Sequence, residues 1–416
     1  MIYDYCIVGG GIAGLYCAIK LAKNHSVLLC EKYKNLGGKV STYYGYVKSV
    51  GKIQYEEGAG RISSSHTLLL KLIKKYKLTL IPISPELHYK KDGSSEVSEN
   101  YFEPSLELFL SPLKNVSKEV LQSNTLRNLL KKIHGKTKTD DFLIRFPYRA
   151  EVDVLRADVA LDVFSKEMKN HEGFFVLKEG LSALINCMKD EFLSLKGKIA
   201  NHYECINIEE QDNSLLRTEF LSGPPKLKEK RKTVFIRSKK IVCALPSEAL
   251  KKIVYFNKFD TLKYVTMEPL LRTYAVYPTE WFKNLGRIVT NTHIRYFLPI
   301  APKVAMVSYT DSSDAKYYGD ILDTKGEAFL GQTIQKGLAQ LFPEKTVPNY
   351  LFFKSHYWKY GATYWCVGDY DVKKESEKSL KPFDSEVYIV GESFSTKQAW
   401  MEGALEQCEK FFTYYS

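Results

Sequence analysis

The sequence lacks the pairs and runs that mark several common protein classes. Its eight cysteines (Cys6, Cys17, Cys30, Cys187, Cys205, Cys243, Cys366 and Cys408) form no C-x-x-C pair, which argues against a zinc site or a dithiol redox motif. Several lie in apolar patterns, where cysteine acts as a small hydrophobe, and free thiols point to a reducing compartment. The eight histidines make no metal-spaced pair, so no metal is expected. His66 and His356 read as surface or core residues. No apolar run reaches the ~18 residues that a spanning helix needs. No apolar tail closes the chain, and residue 1 leads straight into a strand, with no room for a signal peptide. Internal repeats and low-complexity tracts are also missing. The expectation is a soluble, cytoplasmic protein.

What is present is ordinary globular material. The 416 residues allow two to three domains at ~150 residues each. Hydrophobic content of 44% and charged content of 26% fit a packed core under a polar surface. The net charge of +12 is scattered rather than gathered in a stripe, so no nucleic-acid partner is expected. The densest run, Lys226 to Lys232, follows Pro224-Pro225 between two strand-like segments and reads as a solvated hairpin loop.

The strongest local pattern is at the N-terminus. Residues 2–8 read as a buried strand, and Gly9, Gly11 and Gly14 follow as G-x-G-x-x-G. A helical stretch, Ile12–Lys23, opens with Ile12 and Ala13, and a second strand, Ser26–Cys30, ends at Glu31. Gly9 permits the tight turn, Gly11 lets the backbone approach a pyrophosphate, and Gly14 lets helix and strand pack closely. The helix N-terminus offers free N–H groups to phosphates, and Glu31 would accept hydrogen bonds from an adenosine ribose. The spacing marks a dinucleotide site and leaves FAD and NAD both open.

Three further segments narrow the choice. They are Leu36-Gly37-Gly38-Lys39-Val40-Ser41-Thr42, then Glu57-Gly58-Ala59-Gly60-Arg61, then VYIVGESFSTKQAWMEGA over Val387–Ala404. As an ordered set they resemble the flavin-containing amine oxidase family, which includes monoamine, polyamine and L-amino acid oxidases. The resemblance covers both ends of the chain well and the middle weakly. On this reading Gly37-Gly38 lets backbone pass close to the cofactor, and Lys39 reaches its phosphates. Gly58, Ala59 and Gly60 lie against the flat ring. Gly391-Glu392 holds the ribityl chain. Met401 to Ala404 begins a helix whose N–H groups face the flavin O2. Lys178–Phe192 looks like the family's second cofactor-domain helix. Cys205 gives a backbone contact to the adenine while its side chain packs in the core, and Ile241–Leu250 returns the chain through the domain.

The resemblance implies an α/β fold, with a Rossmann-like FAD-binding domain and a discontinuous α+β substrate-binding domain. The first takes residues 1–65, 172–262 and 384–416, and the second takes 66–171 and 263–383. Helical patterns at Ser65–Tyr76, Thr125–His134 and Arg156–Lys169 make the 66–171 lobe largely α. Leu270–Tyr277 and Val304–Tyr309 read as strands.

It also implies chemistry on a bound flavin: hydride passes from the C–H next to a substrate nitrogen to N5, the imine hydrolyses, and O2 reoxidises the cofactor. No nucleophile or triad is expected. Trp400 aligns with the aromatic that faces the flavin, and Tyr364 or Trp365 would form the opposite wall, with Thr363 as the alternative. Arg61 stands where L-amino acid oxidases grip the substrate carboxylate, a two-point match for guanidinium. Supporting the cofactor or pairing with an internal acid is the other reading of Arg61. Two departures stand out. Lys39 replaces a frequent arginine, and Arg272 replaces the lysine usually found near N5. Arginine stays protonated, which implies slow reoxidation by O2. No cysteine occupies the position where some members attach FAD, so non-covalent FAD and a small amine or amino acid are the expected ligands. A flavin desaturase resembling protoporphyrinogen oxidase, or a non-catalytic flavoprotein scaffold, would fit the same motifs.

Overall fold

Strands buried on both faces read as unbroken apolar runs, and the N-terminal run does so. In the computed structural model, which describes residues 1–167 and 173–415, it forms β1 (Ile2–Val8). Cys6 and Val8 face one hydrophobic cluster with Leu28, Cys30, Ile241 and Cys243. Tyr5 and Ile7 face the other with Val27, Leu29 and Val242. Helix α1 (Ile12–Leu21) stops two residues short of the expected Lys23, and β2 (Val27–Glu31) takes Glu31 into the strand.

Two seven-stranded sheets carry the fold. In the first, Lys198–Asn201, β2, β1 and Lys232–Cys243 run parallel, and Val387–Ile389 adds to the last of these. Antiparallel Leu215–Ser222 and Tyr203–Gln211 extend it. The basic run from Lys226 lies in the turn between Ser222 and Lys232, which pair across the hairpin. The Ile241–Leu250 segment divides into a strand ending at Cys243 and a short helix, Ser247–Leu250. The helix expected from Lys178 begins at Leu181 instead, because Gly180, at φ +80°, turns the chain first.

The second sheet runs Phe352–Trp365, Val265–Val276, Val304–Asp311, Tyr296–Ala301, Arg287–Thr290, Leu87–Lys90 and Ser98–Glu99. Helices Thr67–Lys75, Leu126–His134 and Ala157–Glu167 match the periodic stretches. Met168 and Lys169 of the last stretch lie outside the described residues. The 66–171 lobe is less purely helical than its pattern suggests, since Leu87–Lys90 and Ser98–Glu99 extend the second sheet. Sequence periodicity also missed Ser312–Leu341, two helical segments joined at Gly326, where φ is +81°. Among the described residues no helix is long and apolar enough to cross a membrane, and all eight cysteines are free thiols.

A hairpin, Thr42–Val47 with Gly51–Glu56, joins the two sheets. Tyr55 stacks on Tyr274 with ring centres 3.7 Å apart. The Tyr274 hydroxyl donates to the Glu56 carbonyl, and Trp358 Nε1 donates to the Glu57 carbonyl at 2.8 Å. On the other side the Glu56 carboxylate accepts the Leu181 N–H at the start of a helix and the Thr42 hydroxyl, each at 2.8 Å.

Burial raises the Glu56 carboxyl from 4.5 to about 7, against the hydrogen bonds from Leu181 and Thr42. Between those pH values the folded chain holds a proton that the unfolded chain has released. The contribution is therefore fully present below pH 4.5 and is lost as pH rises through about 7. Glu56→Gln removes the titration while keeping an acceptor for Leu181. Urea unfolding at pH 5 to 8 should show wild type losing about 2–3 kcal/mol more than the variant across that range. Parallel profiles would exclude Glu56 as the titrating group.

Candidate active site

The three motif glycines do different work. A Cβ at Gly14 would lie 1.9 Å from the Gly9 carbonyl oxygen, and one at Gly9 would lie 2.5 Å from that of Ala244. Both are demanded by backbone crossing backbone. A Cβ at Gly11 meets only the Gly37 oxygen, at 3.8 Å. Gly9, Gly11, Ile12 and Ala13 line a cavity of about 730 Å³, and Gly14 sits behind the wall, packing helix on strand.

The cavity runs between the sheets. At one end are Glu31, Tyr203 and Cys205. Glu31 is 6% exposed and accepts the Gly10 N–H at 2.7 Å and the Tyr33 N–H at 2.8 Å. Burial raises its carboxyl. Gly38, Lys39, Gly391 and Glu392 line the middle. Lys39 Nζ lies 3.4 Å from Glu392, whose carboxylate also accepts the Thr363 N–H at 2.8 Å. Thr363 is thereby turned to Glu392, Tyr364 lines the cavity, and Trp365 is buried with its Nε1 on the Ser395 carbonyl.

Gly58, Ala59 and Gly60 line the wall, but the chain itself explains both glycines. A Cβ at Gly58 would lie 2.1 Å from the Lys39 oxygen, and one at Gly60 would lie 2.4 Å from Arg272 Nη1. Met401 and Ala404, in the first turn of the helix Met401–Tyr415, face the cavity. Ala399 holds φ +64°, a left-handed conformation that alanine rarely takes, directly before Trp400, which lines the wall.

Arg61 is the centre of the far end. Its guanidinium lies 4.9 Å from the Phe174 ring centre, 5.2 Å from Tyr148 and 5.5 Å from Trp400. Burial opposes its charge, the tyrosines Tyr148, Tyr309 and Tyr296 favour it, and Arg272 opposes it. Among the described residues no carboxylate pairs with it. His66 meets Trp400 edge to face at 4.9 Å and accepts the Ser63 N–H on Nδ1. Burial, with Lys397 and Arg61, lowers it to about 4, so the ring is a neutral prop. Arg272, Tyr309, Glu151 and Asp311 complete this end. Asp311 is occupied by the Arg149 and Ala150 N–H groups at 2.8 Å.

Tyr148, Phe174, Glu151, Tyr309 and Asp311 were not legible in the sequence. Tyr309 and Asp311 come from the strand Val304–Asp311, Tyr148 and Glu151 from the chain around Ala150–Asp153, and Phe174 packs on Arg61 from the strand Phe174–Leu177; none sits in a local motif. Most of the expected residues do meet there: Gly14 packs behind the wall, Thr363 and Trp365 turn away from it, and the other named site residues line this one cavity. At Gly11, Gly38 and Gly391 an added Cβ meets nothing closer than 3.5 Å, so the cavity opens where a dinucleotide's backbone needs room. The wall has room for a flavin cofactor.

A family model described as flavin containing amine oxidoreductase matches residues 12–409, and the chain belongs to that family. An uncharacterized protein of Acanthamoeba polyphaga mimivirus is 23% identical over 507 aligned positions, covering 99% of this chain and 93% of that one. An L-amino acid oxidase of Cerastes cerastes is 26% identical over 187 residues, 41% of this chain and 34% of its own. The solved structure of putrescine oxidase, wild type bound to putrescine, superposes with a TM-score of 0.75 at 12% identity, covering 99% of this chain and 98% of that one. At that identity the likeness speaks for the fold alone.

The glycine geometry separates binding from packing. Gly11→Val should leave unfolding unchanged within about 1 kcal/mol while abolishing flavin retention. Gly14→Ala should instead lower stability by about 1–3 kcal/mol through overpacking. Absorbance at the flavin bands and urea midpoints measure both. Equal flavin loss with equal stability would show that Gly14 also faces the ligand.

Proposed function

We propose that the chain is an FAD-dependent oxidase of an L-amino acid, holding FAD without a covalent bond. On this reading residues 1–65, 172–262 and 384–416 form a Rossmann-like FAD-binding domain, and 66–171 and 263–383 enclose the substrate. The observation that carries it is the Arg61 guanidinium, caged by three rings at the end of a glycine-lined cavity and, among the described residues, paired with no acid. A half-buried cation among aromatic rings gains from a partner, and a substrate carboxylate supplies one through two parallel hydrogen bonds. Of the cavity's cysteines, Cys30 and Cys205 lie at the Glu31 end, away from Trp400, which favours non-covalent FAD. The eight free thiols favour an intracellular location.

FAD held by Gly11, Glu31, Lys39, Gly391 and Met401 would supply two-electron oxidation of the C–H beside the substrate nitrogen, with an imine that water hydrolyses as the organic product and O2 as the acceptor reduced to hydrogen peroxide. The protein's part is placement. Trp400 and Tyr364 flank the amine and exclude water. Met401 and its neighbours present helix N–H groups where negative charge develops. Arg61 fixes the carboxylate end. A second reading, oxidation of an amine without a carboxylate, takes the Asp311 carboxylate in the same wall as the negative group facing the amine. The named activity of putrescine oxidase leans the same way.

Purified protein should be yellow and should release FAD on acid precipitation. Without oxygen, an L-amino acid should bleach the flavin faster than its decarboxylated amine. Arg61→Ala should weaken amino acid binding by about ten- to a hundredfold and keep FAD. An amine that outperforms its amino acid would decide for the second reading. Trp400→Ala should slow bleaching with FAD retained, whereas release of FAD would assign Trp400 to the cofactor.

A further inference from the structure

Asp311 ends the strand Val304–Asp311 and stands at the N-cap of the helical stretch Ser312–Leu341. An aspartate in that place ordinarily accepts an N–H of its own helix. Asp311 makes no such bond, and Ser312, the next residue, takes a left-handed φ of +49°, which serine seldom adopts. Both features run against local preference, and such features gather where function constrains the chain.

The Asp311 carboxylate is spent on another segment. One oxygen accepts the Arg149 N–H and the other the Ala150 N–H, each at 2.8 Å. These are open donors at the start of the short helix Ala150–Asp153. The Arg149 side chain is held as well: its Nε donates to Asp314, which is 2% exposed and lies 2.7 Å from His293 Nδ1. Directly before this doubly held arginine is Tyr148, whose ring lies 5.2 Å from the Arg61 guanidinium and meets Tyr309 edge to face at 5.3 Å. Tyr309 and Asp311 are two residues apart on one strand, so they share a face, and both line the cavity. One strand thus supports the Tyr148 ring and ties down the main chain that carries it. Burial raises the Asp311 carboxyl to about 6 against those two N–H groups, so above that pH it is a charged acceptor.

We propose that Asp311 is a positioning residue: through the Arg149 and Ala150 N–H groups it sets the Tyr148 ring against Arg61 and so fixes the guanidinium for the substrate carboxylate. The assignment rests on the amino acid reading above and deepens it, since the grip on the carboxylate is then built from two distant parts of the chain. Without Asp311 the main chain at 149 and 150 loses its anchor, and Arg61 loses one of its three rings. Its planar fork no longer meets a carboxylate at one fixed angle. The defect falls on ligand binding, and the chemical step is spared.

Crystal structures of the holoprotein, with benzoate binding and flavin reduction measured above pH 7, test this. In Asp311→Ala the Tyr148 ring should leave its place against Arg61 while the strand Val304–Asp311 keeps its register. Benzoate should bind about tenfold more weakly. The KM of an oxidised amino acid should rise by a similar factor, with the limiting rate of anaerobic flavin reduction within about twofold of wild type. Asp311→Asn keeps one acceptor oxygen, and it should shift the ring less and weaken benzoate by about threefold. If Asp311→Ala does not fold, Asp311→Asn decides alone: a ring and a benzoate affinity equal to wild type overturn the proposal. A Tyr148 ring that stays in place in Asp311→Ala overturns it, and weaker binding in that case assigns Asp311 to the ligand directly. A displaced ring with undiminished benzoate binding overturns it as well. If wild type binds no benzoate, the carboxylate reading of Arg61 fails, and the place of the Tyr148 ring in the variants still decides the role of Asp311.

Discussion

Every buried main-chain carbonyl needs a donor, and the second sheet supplies it at Glu56 and Glu57, while the loop after β2 takes up the N–H groups of Glu57 and Ala59. Tyr274 and Arg272 reach the Glu56 carbonyl from one strand, and Trp358 reaches that of Glu57 from its neighbour. The Glu57 and Ala59 N–H groups bond back to Ser41 and Lys39 at 2.8 and 2.9 Å. The stretch is therefore clamped between the sheets. The position of Arg61, the narrow room at Gly58 and Gly60, and the angle at which Arg272 enters the cavity all follow from that clamp.

The electrostatics of the molecule make the two cavity arginines stand apart. Three other deeply buried cations each have a carboxylate: Lys90 with Glu344 at 2.9 Å, Arg156 with Asp158 at 2.7 Å, and Arg295 with Asp314 at 3.6 Å. Those pairs explain how charge is tolerated in the core. Arg61 and Arg272 are surrounded by tyrosine and tryptophan faces instead, which soften the charge without cancelling it.

Much of the first sheet was legible because its signals are local. A strand, a tight glycine turn, a helix and an acid at fixed spacing leave a readable trace, and β1, α1 and β2 differ from the expectation by no more than two residues. The family resemblance brought together the remaining cavity segments. The missed features are those set by distant contacts. Ser312–Leu341 is rich in polar residues and broken at Gly326, and it buries polar Ser312 and Asp314, so no apolar stripe announced it. Tyr148 and Tyr309 come from separate elements, and only the tertiary fold stacks them. The glycines of residues 58–60 were legible as necessary, yet the reason lay in the Lys39 backbone and the Arg272 side chain.

The strand order has a consequence for biosynthesis. β1 cannot complete its ladder until residues 237–243 exist, and the cavity wall also needs Gly391, Trp400 and Met401 near the C-terminus. Contacts of such long sequence separation form late and slowly. The nascent chain therefore carries β1 paired on one side to β2 and open on the other until residue 243 has been made. A premature stop anywhere before the last helix would yield a chain with no enclosed cavity at all, rather than a shorter version of the same one.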